Sequence, residues 1–284
     1  MSAHPVRVGL KLSPQGTTVE ELRAVWDVAD EGGFDHCWTF DHLAGIGDAG
    51  PGEDVLEAWT LLAAMAERTS RVRIGCMVTG NTYRHPALLA KMAVTVDRLS
   101  GGRLEVGIGA AWAEIEHTML GLPFGSRAER AARLAEAVEV LRRLWTEERV
   151  DFAGEHYVLR QAVANPKPLQ RPHPPIWIGG SGRRLTLRTV ARLADVWNAP
   201  WGEPEEVAEL SAVLDGHCAA VARDPSEIRR SIQFRYEGGP DLVELASRYV
   251  AAGATELVLM LPPGRARACA EAAAAQLDRL RGLG

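Results

Sequence analysis

Short apolar runs alternate with longer amphipathic stretches along almost the whole chain. Strand-like runs fall at Val6–Leu12, His36–Phe40, Val72–Thr79, Leu104–Gly109, Pro175–Gly179, Asp195–Asn198, Ile228–Phe234 and Glu256–Leu261. Each is compact and nearly continuous in apolar character, as a strand buried on both faces requires. Between them, apolar residues recur at three- and four-residue spacing. This predicts helices over Val19–Glu31, Val55–Arg68, Pro86–Leu99, Arg127–Leu144, Arg183–Leu193, Pro204–Ala222, Leu242–Ala252 and Ala266–Leu280. Thr17-Thr18 and Gly32-Gly33 bracket the first helix as cap signals, and Pro86 and Pro204 suit a first helical turn.

Eight strands alternating with eight helices predict a (β/α)8 TIM barrel closed by right-handed crossovers, one domain over residues 1–284. An open doubly wound sheet is the competing arrangement. No strand leads into a G-x-G-x-x-G turn, however; Gly107-Ile108-Gly109 runs into Ala110-Ala111-Trp112 instead. Residues 148–175 break the alternation. They are rich in proline and polar residues and read as an insertion between the fourth helix and the fifth strand. A hairpin, Val150–Phe152 with His156–Leu159, turns there around Ala153-Gly154. Such an insertion serves as a lid or as an interface and surface element, and the pattern leaves both open.

Composition narrows the class. Apolar residues make up 46 % of the 284 positions and charged residues 24 %, ample for a large core. A net charge of −5 argues against general affinity for nucleic acid or an anionic membrane. No stretch reaches the roughly 20 apolar residues of a membrane span, and Met1 to Val8 shows no leader pattern, so a cytoplasmic protein is expected. Cys37, Cys76, Cys218 and Cys269 are widely separated and read as buried thiols. The histidines show no metal-binding spacing, so no metal is expected. G-x-S-x-G and G-x-x-x-x-G-K-[ST] motifs are absent, which removes acyl transfer by a nucleophile elbow and P-loop chemistry.

Barrel enzymes build their sites at the C-terminal ends of the strands, which makes a short list of the candidates. Gly179-Gly180-Ser181-Gly182 follows the fifth strand and precedes Arg183-Arg184. Glycines there let several N–H groups point inward as an anion nest, aided by a following helix N-terminus. A tight turn without a ligand is the plain alternative. Asp41-His42 ends the second strand and offers proton transfer near neutral pH, with a cap and an exposed histidine as the alternative. Thr79 and Asn81 end the third strand. Ala110 ends the fourth, followed by Trp112, an aromatic plane, and Glu114, a carboxylate. Glu116 and His117 follow so closely that helix solvation accounts for them equally well.

Trp38–Leu43, Val78–Pro86, Leu99–Arg103 with Gly107–Gly109, Ala110–Glu114, Gly121–Phe124 and Pro175–Gly182, in that order, resemble the bacterial luciferase-like superfamily. The resemblance runs from about Val6 to Trp201 and is strongest to the branch that uses the deazaflavin coenzyme F420. It implies that Asp41 lies beside the deazaflavin ring and that His42 serves catalysis, with Glu114 as a second proton carrier. It implies a non-prolyl cis peptide at about Met77-Val78, backing the ring. It further implies a cofactor surface of Asp41, Met77, Val78, Thr79, Asn81, Ala110 and Trp112, with the phosphate at Gly179, Gly180, Ser181 and Gly182. One departure is Ala113, where the family commonly carries asparagine.

The function so implied is an F420-dependent oxidoreductase passing hydride between the deazaflavin C5 and a small organic substrate. An FMN-dependent monooxygenase of the same superfamily is the alternative, since FMN presents the same phosphate, and a non-catalytic flavin-binding protein is a third. The resemblance also implies a homodimer, for which Val55–Arg68 and Pro86–Leu99 are candidate interface helices.

Overall fold

Continuous apolar strands need cover on both sides, and the chain supplies it by following nearly every strand with a helix. The computed structural model describes residues 5–284. The leader reading at Met1–Val8 falls partly on residues 1–4, outside the described residues. The chain begins with β1 (Arg7–Leu12), α1 (Val19–Glu31), β2 (His36–Thr39), α2 (Ala58–Arg68), β3 (Arg73–Gly80) and α3 (Pro86–Leu99). It continues through β4 (Leu104–Gly109), α4 (Glu114–Leu120), α5 (Arg127–Thr146) and the hairpin β5 (Val150–Ala153) and β6 (Val158–Ala162). After β7 (Ile176–Gly179) come α6 (Thr186–Leu193), β8 (Val196–Ala199), α7 (Pro204–Ala220) and β9 (Arg229–Arg235). Then α8 (Leu242–Ala251), β10 (Glu256–Leu261), α9 (Ala266–Ala274) and α10 (Leu277–Arg281) complete it.

The parallel strands close in the order β1-β10-β9-β8-β7-β4-β3-β2, which is the expected (β/α)8 barrel. Residues facing outward, such as Val8, Leu10, Ile74, Val106, Ile178 and Leu257, join the helices in the main core. Strand periodicity sends their neighbours inward. Trp38, Met77, Trp177, Val196 and Val258 form a separate cluster in the middle of the barrel. The Trp38 and Trp177 rings lie edge to face with centroids 4.6 Å apart. Glycine makes room for such rings. A Cβ on Gly75 would fall 2.3 Å from the Trp38 ring, and one on Gly9 would strike the His36 imidazole at 1.7 Å.

Below this cluster, at the N-terminal end of the strands, lies a closed ionic network. Glu256 receives Arg7 at 3.3 Å and Arg229. Glu105 pairs with Arg73 and accepts the Trp177 indole N–H. Trp38 Nε1 donates to His36 Nδ1 at 2.6 Å. An indole N–H can only donate, so His36 carries its proton on Nε2 and gives it to Glu256 Oε2 at 3.0 Å. Burial acts upward on the Glu105 carboxyl, but Arg73, Arg229 and Arg7 outweigh it and hold the group below its ordinary range.

Several helix ends shift by one or two residues, but two helices start three residues late and the last one divides, each for a local reason. α2 starts at Ala58 because Glu57 caps it, accepting from the N–H groups of Trp59 at 3.1 Å and Thr60 at 2.7 Å. Val55 is drawn instead into an antiparallel bridge with Gln15. α6 begins at Thr186, after a turn at residues 183–185. The last helix divides at Gln276, whose amide donates to the Tyr236 hydroxyl at 3.2 Å. α4 was not anticipated. Its buried residues are Glu116 and His117, so it carries no apolar periodicity to read.

Segment 148–175 forms the expected hairpin and then a strap along α3. Arg98 donates to the Lys167 carbonyl at 2.9 Å, and Asp97 accepts the Leu169 N–H at 2.6 Å and the Gln170 amide at 2.7 Å. All four cysteines are buried and unpaired. Among the described residues, no helix is long and apolar enough to cross a membrane, and no group of side chains is arranged to hold a metal ion.

Candidate active site

The C-terminal mouth of the barrel is built on a step in β3. The ladder between β3 and β4 breaks register between Cys76 and Thr79, and the Met77–Val78 peptide inside that break is cis, as the resemblance implied. The break turns Val78, half-buried, over two neighbouring strands. A Cβ on Gly109 would lie 2.7 Å from Val78 Cγ2, and one on Gly179 would lie 2.9 Å from Val78 Cγ1. A Cβ on Gly107 would strike the Cys76 carbonyl at 2.1 Å. These glycines therefore clear a shelf on which the valine stands. Gly179, read from the sequence as part of an anion nest, forms part of that shelf.

At the end of β2 the two adjacent polar residues have opposite fates. Asp41 is almost wholly buried. Arg84 grips it with two bonds, Nη1 to Oδ2 at 2.6 Å and Nη2 to Oδ1 at 3.0 Å, and the Gly80 N–H donates to Oδ2 at 3.0 Å. Arg84 also donates to Glu57, the cap of α2. Burial raises the Asp41 pKa, against the pull of Arg84. Asp41 thus ties β2 to the loop after β3, with both oxygens committed.

His42 turns toward solvent and meets Glu116 of α4. Glu116 accepts from His42 Nδ1 at 2.8 Å, from the Tyr83 hydroxyl at 2.5 Å, and from the N–H groups of Leu43 at 2.5 Å and Ala44 at 3.1 Å. Burial acts upward on this carboxyl, but the His42 and Tyr83 bonds, the His42 charge and the Leu43 N–H overcome it and hold the pKa down to about 2. An ionised carboxylate can only accept, so His42 Nδ1 carries a proton and Nε2 is left as the working nitrogen. Burial, reinforced by Glu116, pushes the Tyr83 phenol well above its ordinary value.

The other expected residues separate into two groups. Trp112 is 58 % exposed and stands edge-on to His42, with ring centroids 5.6 Å apart. Asn81 is buried, its Nδ2 pointing to the Tyr157 hydroxyl at 3.4 Å, while its Oδ1 has no partner. Thr79 faces the helices and accepts from Trp59 Nε1 at 3.2 Å. Ala110 packs against the outer core, and Met77 lies within the barrel. Glu114 opens α4 with its side chain in solvent, so the carboxylate that meets His42 belongs to Glu116, two positions further on.

The loop after β7 is exposed from Ser181 to Leu185. The Gly180 N–H is spent on the Asn198 carbonyl at 3.0 Å, so the nest can begin only at Ser181. Gly180 has a φ of 134°, a conformation side chains rarely adopt. A Cβ on Gly182 would lie 2.7 Å from the Thr186 hydroxyl, so the glycine lets the loop fold onto that oxygen. Arg183 turns away to Glu209 at 2.9 Å. Opposite this loop, Lys11 enters the barrel from β1. Its ammonium donates to Gln233 at 2.7 Å, the Gln233 amide to Asn198 at 3.4 Å, and the Asn198 amide to Ser231 at 3.0 Å.

Glu116, Tyr83, Arg84, Thr186 and Lys11 were not among the expected site residues. Tyr83 and Arg84 lay within the resembling stretch, and Glu116 sat beside Glu114, but nothing in the spacing told one carboxylate from the other.

Comparison with known proteins places this geometry. The luciferase-like monooxygenase family model matches residues 1–279. An F420-dependent glucose-6-phosphate dehydrogenase of Segniliparus rotundus is 33 % identical over 241 residues, covering 84 % of this chain and 70 % of that protein. An FMNH2-dependent dimethylsulfone monooxygenase of Pseudomonas putida is 30 % identical over 236 residues, covering 75 % of this chain and 63 % of that one. Among solved structures, an F420-dependent secondary alcohol dehydrogenase in complex with an F420–acetone adduct superimposes with a TM-score of 0.87 at 18 % identity, covering 97 % of this chain and 99 % of that one. With the cis peptide and the barrel both in place, the chain belongs to the luciferase-like monooxygenase family.

Proposed function

We propose that this protein is an F420-dependent oxidoreductase that moves hydride between the deazaflavin and a carbinol or carbonyl carbon of a small organic substrate. The observation that carries the proposal is His42, held by an ionised Glu116 at the lip of a mouth whose floor is the Val78 shelf. The kinship with the Segniliparus rotundus dehydrogenase adds weight. The residues present fit the cofactor. The shelf would be filled by any Cβ at Gly109 or Gly179, and the buried Asn81 Oδ1 lacks a donor.

The deazaflavin supplies a C5 carbon that accepts or returns hydride. The protein does the rest by placement and proton handling. Val78 would support the ring, and Trp112 offers an aromatic wall beside His42. The N–H groups from Ser181 onward and the Thr186 hydroxyl would hold the phosphate, with the N-terminal end of α6 behind them. His42 Nε2 takes the proton from a substrate hydroxyl as its carbon loses hydride, and returns it in the reverse direction. Glu116 fixes the tautomer and stabilises the imidazolium that results. Glu114, at the solvent edge of the same helix, remains a candidate relay to water.

One reading competes because the Pseudomonas putida relative uses reduced FMN. Fluorescence titration of the purified protein with each cofactor decides between them. F420 is expected to bind at least ten-fold more tightly than FMN. Tighter binding of FMN, with turnover only in oxygen, would replace this proposal with the monooxygenase. We further propose a cytoplasmic homodimer using α2 and α3, where Leu88 and Leu99 remain exposed. Light scattering reads that state, and a monomer at micromolar concentration would refute it.

A further inference from the structure

The floor of the mouth contains a cation for which the His42 chemistry has no use. Lys11 is only 9 % exposed, yet its ammonium makes one hydrogen bond, to Gln233. Among the described residues, no carboxylate lies within ion-pair distance of it. The Phe40 ring stands 5.9 Å away, and the neighbouring ionisable group is the Cys76 thiol, itself pushed well above its ordinary range by burial. At the opposite end of the barrel, Arg7, Arg73 and Arg229 each face a glutamate. Burial pulls the Lys11 pKa down to about 8, so the group remains charged at neutral pH. A buried ammonium needs acceptors, and one without a counter-charge is unfavourable. Gln233 cannot supply more, because its amide is turned to Asn198.

The barrel order indicates what the missing acceptor is. With eight strands closed in the order given above, β1 stands diametrically across from β7. A ligand whose phosphate sat on the loop after β7 and whose ring crossed the Val78 shelf would extend toward β1, the strand that carries Lys11. Resting on the F420 reading above, we propose that Lys11 contacts the pyrimidine carbonyl edge of the deazaflavin and favours its reduced form. In the oxidative direction the substrate C–H bond breaks with both electrons, and a C–H bond forms at C5. The hydroxyl O–H bond breaks, its proton goes to His42 Nε2, and the substrate becomes a carbonyl. The ring gains one negative charge, spread over the pyrimidine edge, and the Lys11 ammonium offsets it.

Lys11→Met keeps the length and removes the charge, and Lys11→Gln serves if the first variant folds poorly. Dissociation constants for oxidised and reduced F420, measured anaerobically by protein fluorescence, give the readout. The variant is expected to weaken the reduced form about ten-fold more than the oxidised form, the scale of one charge-assisted hydrogen bond. Equal changes for the two forms, within two-fold, overturn the inference even if the melting temperature falls, since a purely structural lysine would behave in that way. If the wild-type protein binds neither form, the F420 reading fails and this inference fails with it.

Discussion

The two ends of the barrel interior both hold charged side chains, and they treat them in opposite ways. At the N-terminal end Glu105 and Glu256 are wholly buried, and arginines, His36 and the Trp177 indole account for their partners. At the C-terminal end the pairs sit at the rim. Lys11 has one partner, Asn81 Oδ1 has none, and His42 is tied to Glu116 through Nδ1. A closed network holds the strands together, and breaking it leaves a charge stranded. An open one leaves valences for a ligand. In this fold the chemistry belongs to the open end.

That contrast breaks most readily at the closed end. Glu105→Gln removes the anion facing Arg73 and Arg229, and a stability loss of about 3–5 kcal/mol is expected from denaturant unfolding. Cofactor affinity at low temperature should stay within two-fold. A variant as stable as the wild type would show the network to be dispensable. At the open end the expectation reverses. His42→Ala should lower turnover by about 10²–10⁴, with a smaller stability loss than Glu105→Gln. Turnover within three-fold of wild type would remove His42 from the reaction.

Glu116→Gln sharpens the comparison, because it keeps the shape of the dyad and removes its charge. A fall in turnover of about 10–100-fold is expected, because the amide neither fixes the His42 tautomer nor offsets charge on the imidazole. Turnover within three-fold of wild type would mean that Glu116 only supports the loop. Acid titration gives a smaller effect of known sign. The folded Glu116 pKa is depressed to about 2, so its contribution is fully present above the unfolded value and is lost as pH falls from about 5 toward 2. The shift corresponds to about 3 kcal/mol at most. Glu116→Gln should therefore flatten the stability curve over that window, and a curve parallel to wild type would contradict the assignment.

The barrel was legible because its strands are apolar on both faces and glycine and proline punctuate the helices. Pro86–Leu99 and Leu104–Gly109 emerge with the boundaries expected. The site was legible in part. The Met77–Val78 cis peptide stands where the resemblance placed it and Asp41-His42 lies just past β2, but how their partners divide does not follow from spacing. Asp41 is fixed by Arg84, a residue 43 positions later, and His42 by Glu116, 74 positions later. α4 was hidden because its inward face is polar. Gly179 announces a small residue, and only the fold shows that Val78 is what occupies the space above it.

The most direct test of hydride transfer at the mouth is anaerobic turnover of reduced F420 carrying deuterium at C5, with a panel of small aldehydes and ketones. Deuterium is expected at the carbinol carbon of the product with the wild-type protein. The His42→Ala variant should bind the coenzyme with unchanged affinity and transfer the label at least 100-fold more slowly. Loss of the label to water, or product formed only with reduced FMN and oxygen, would contradict it.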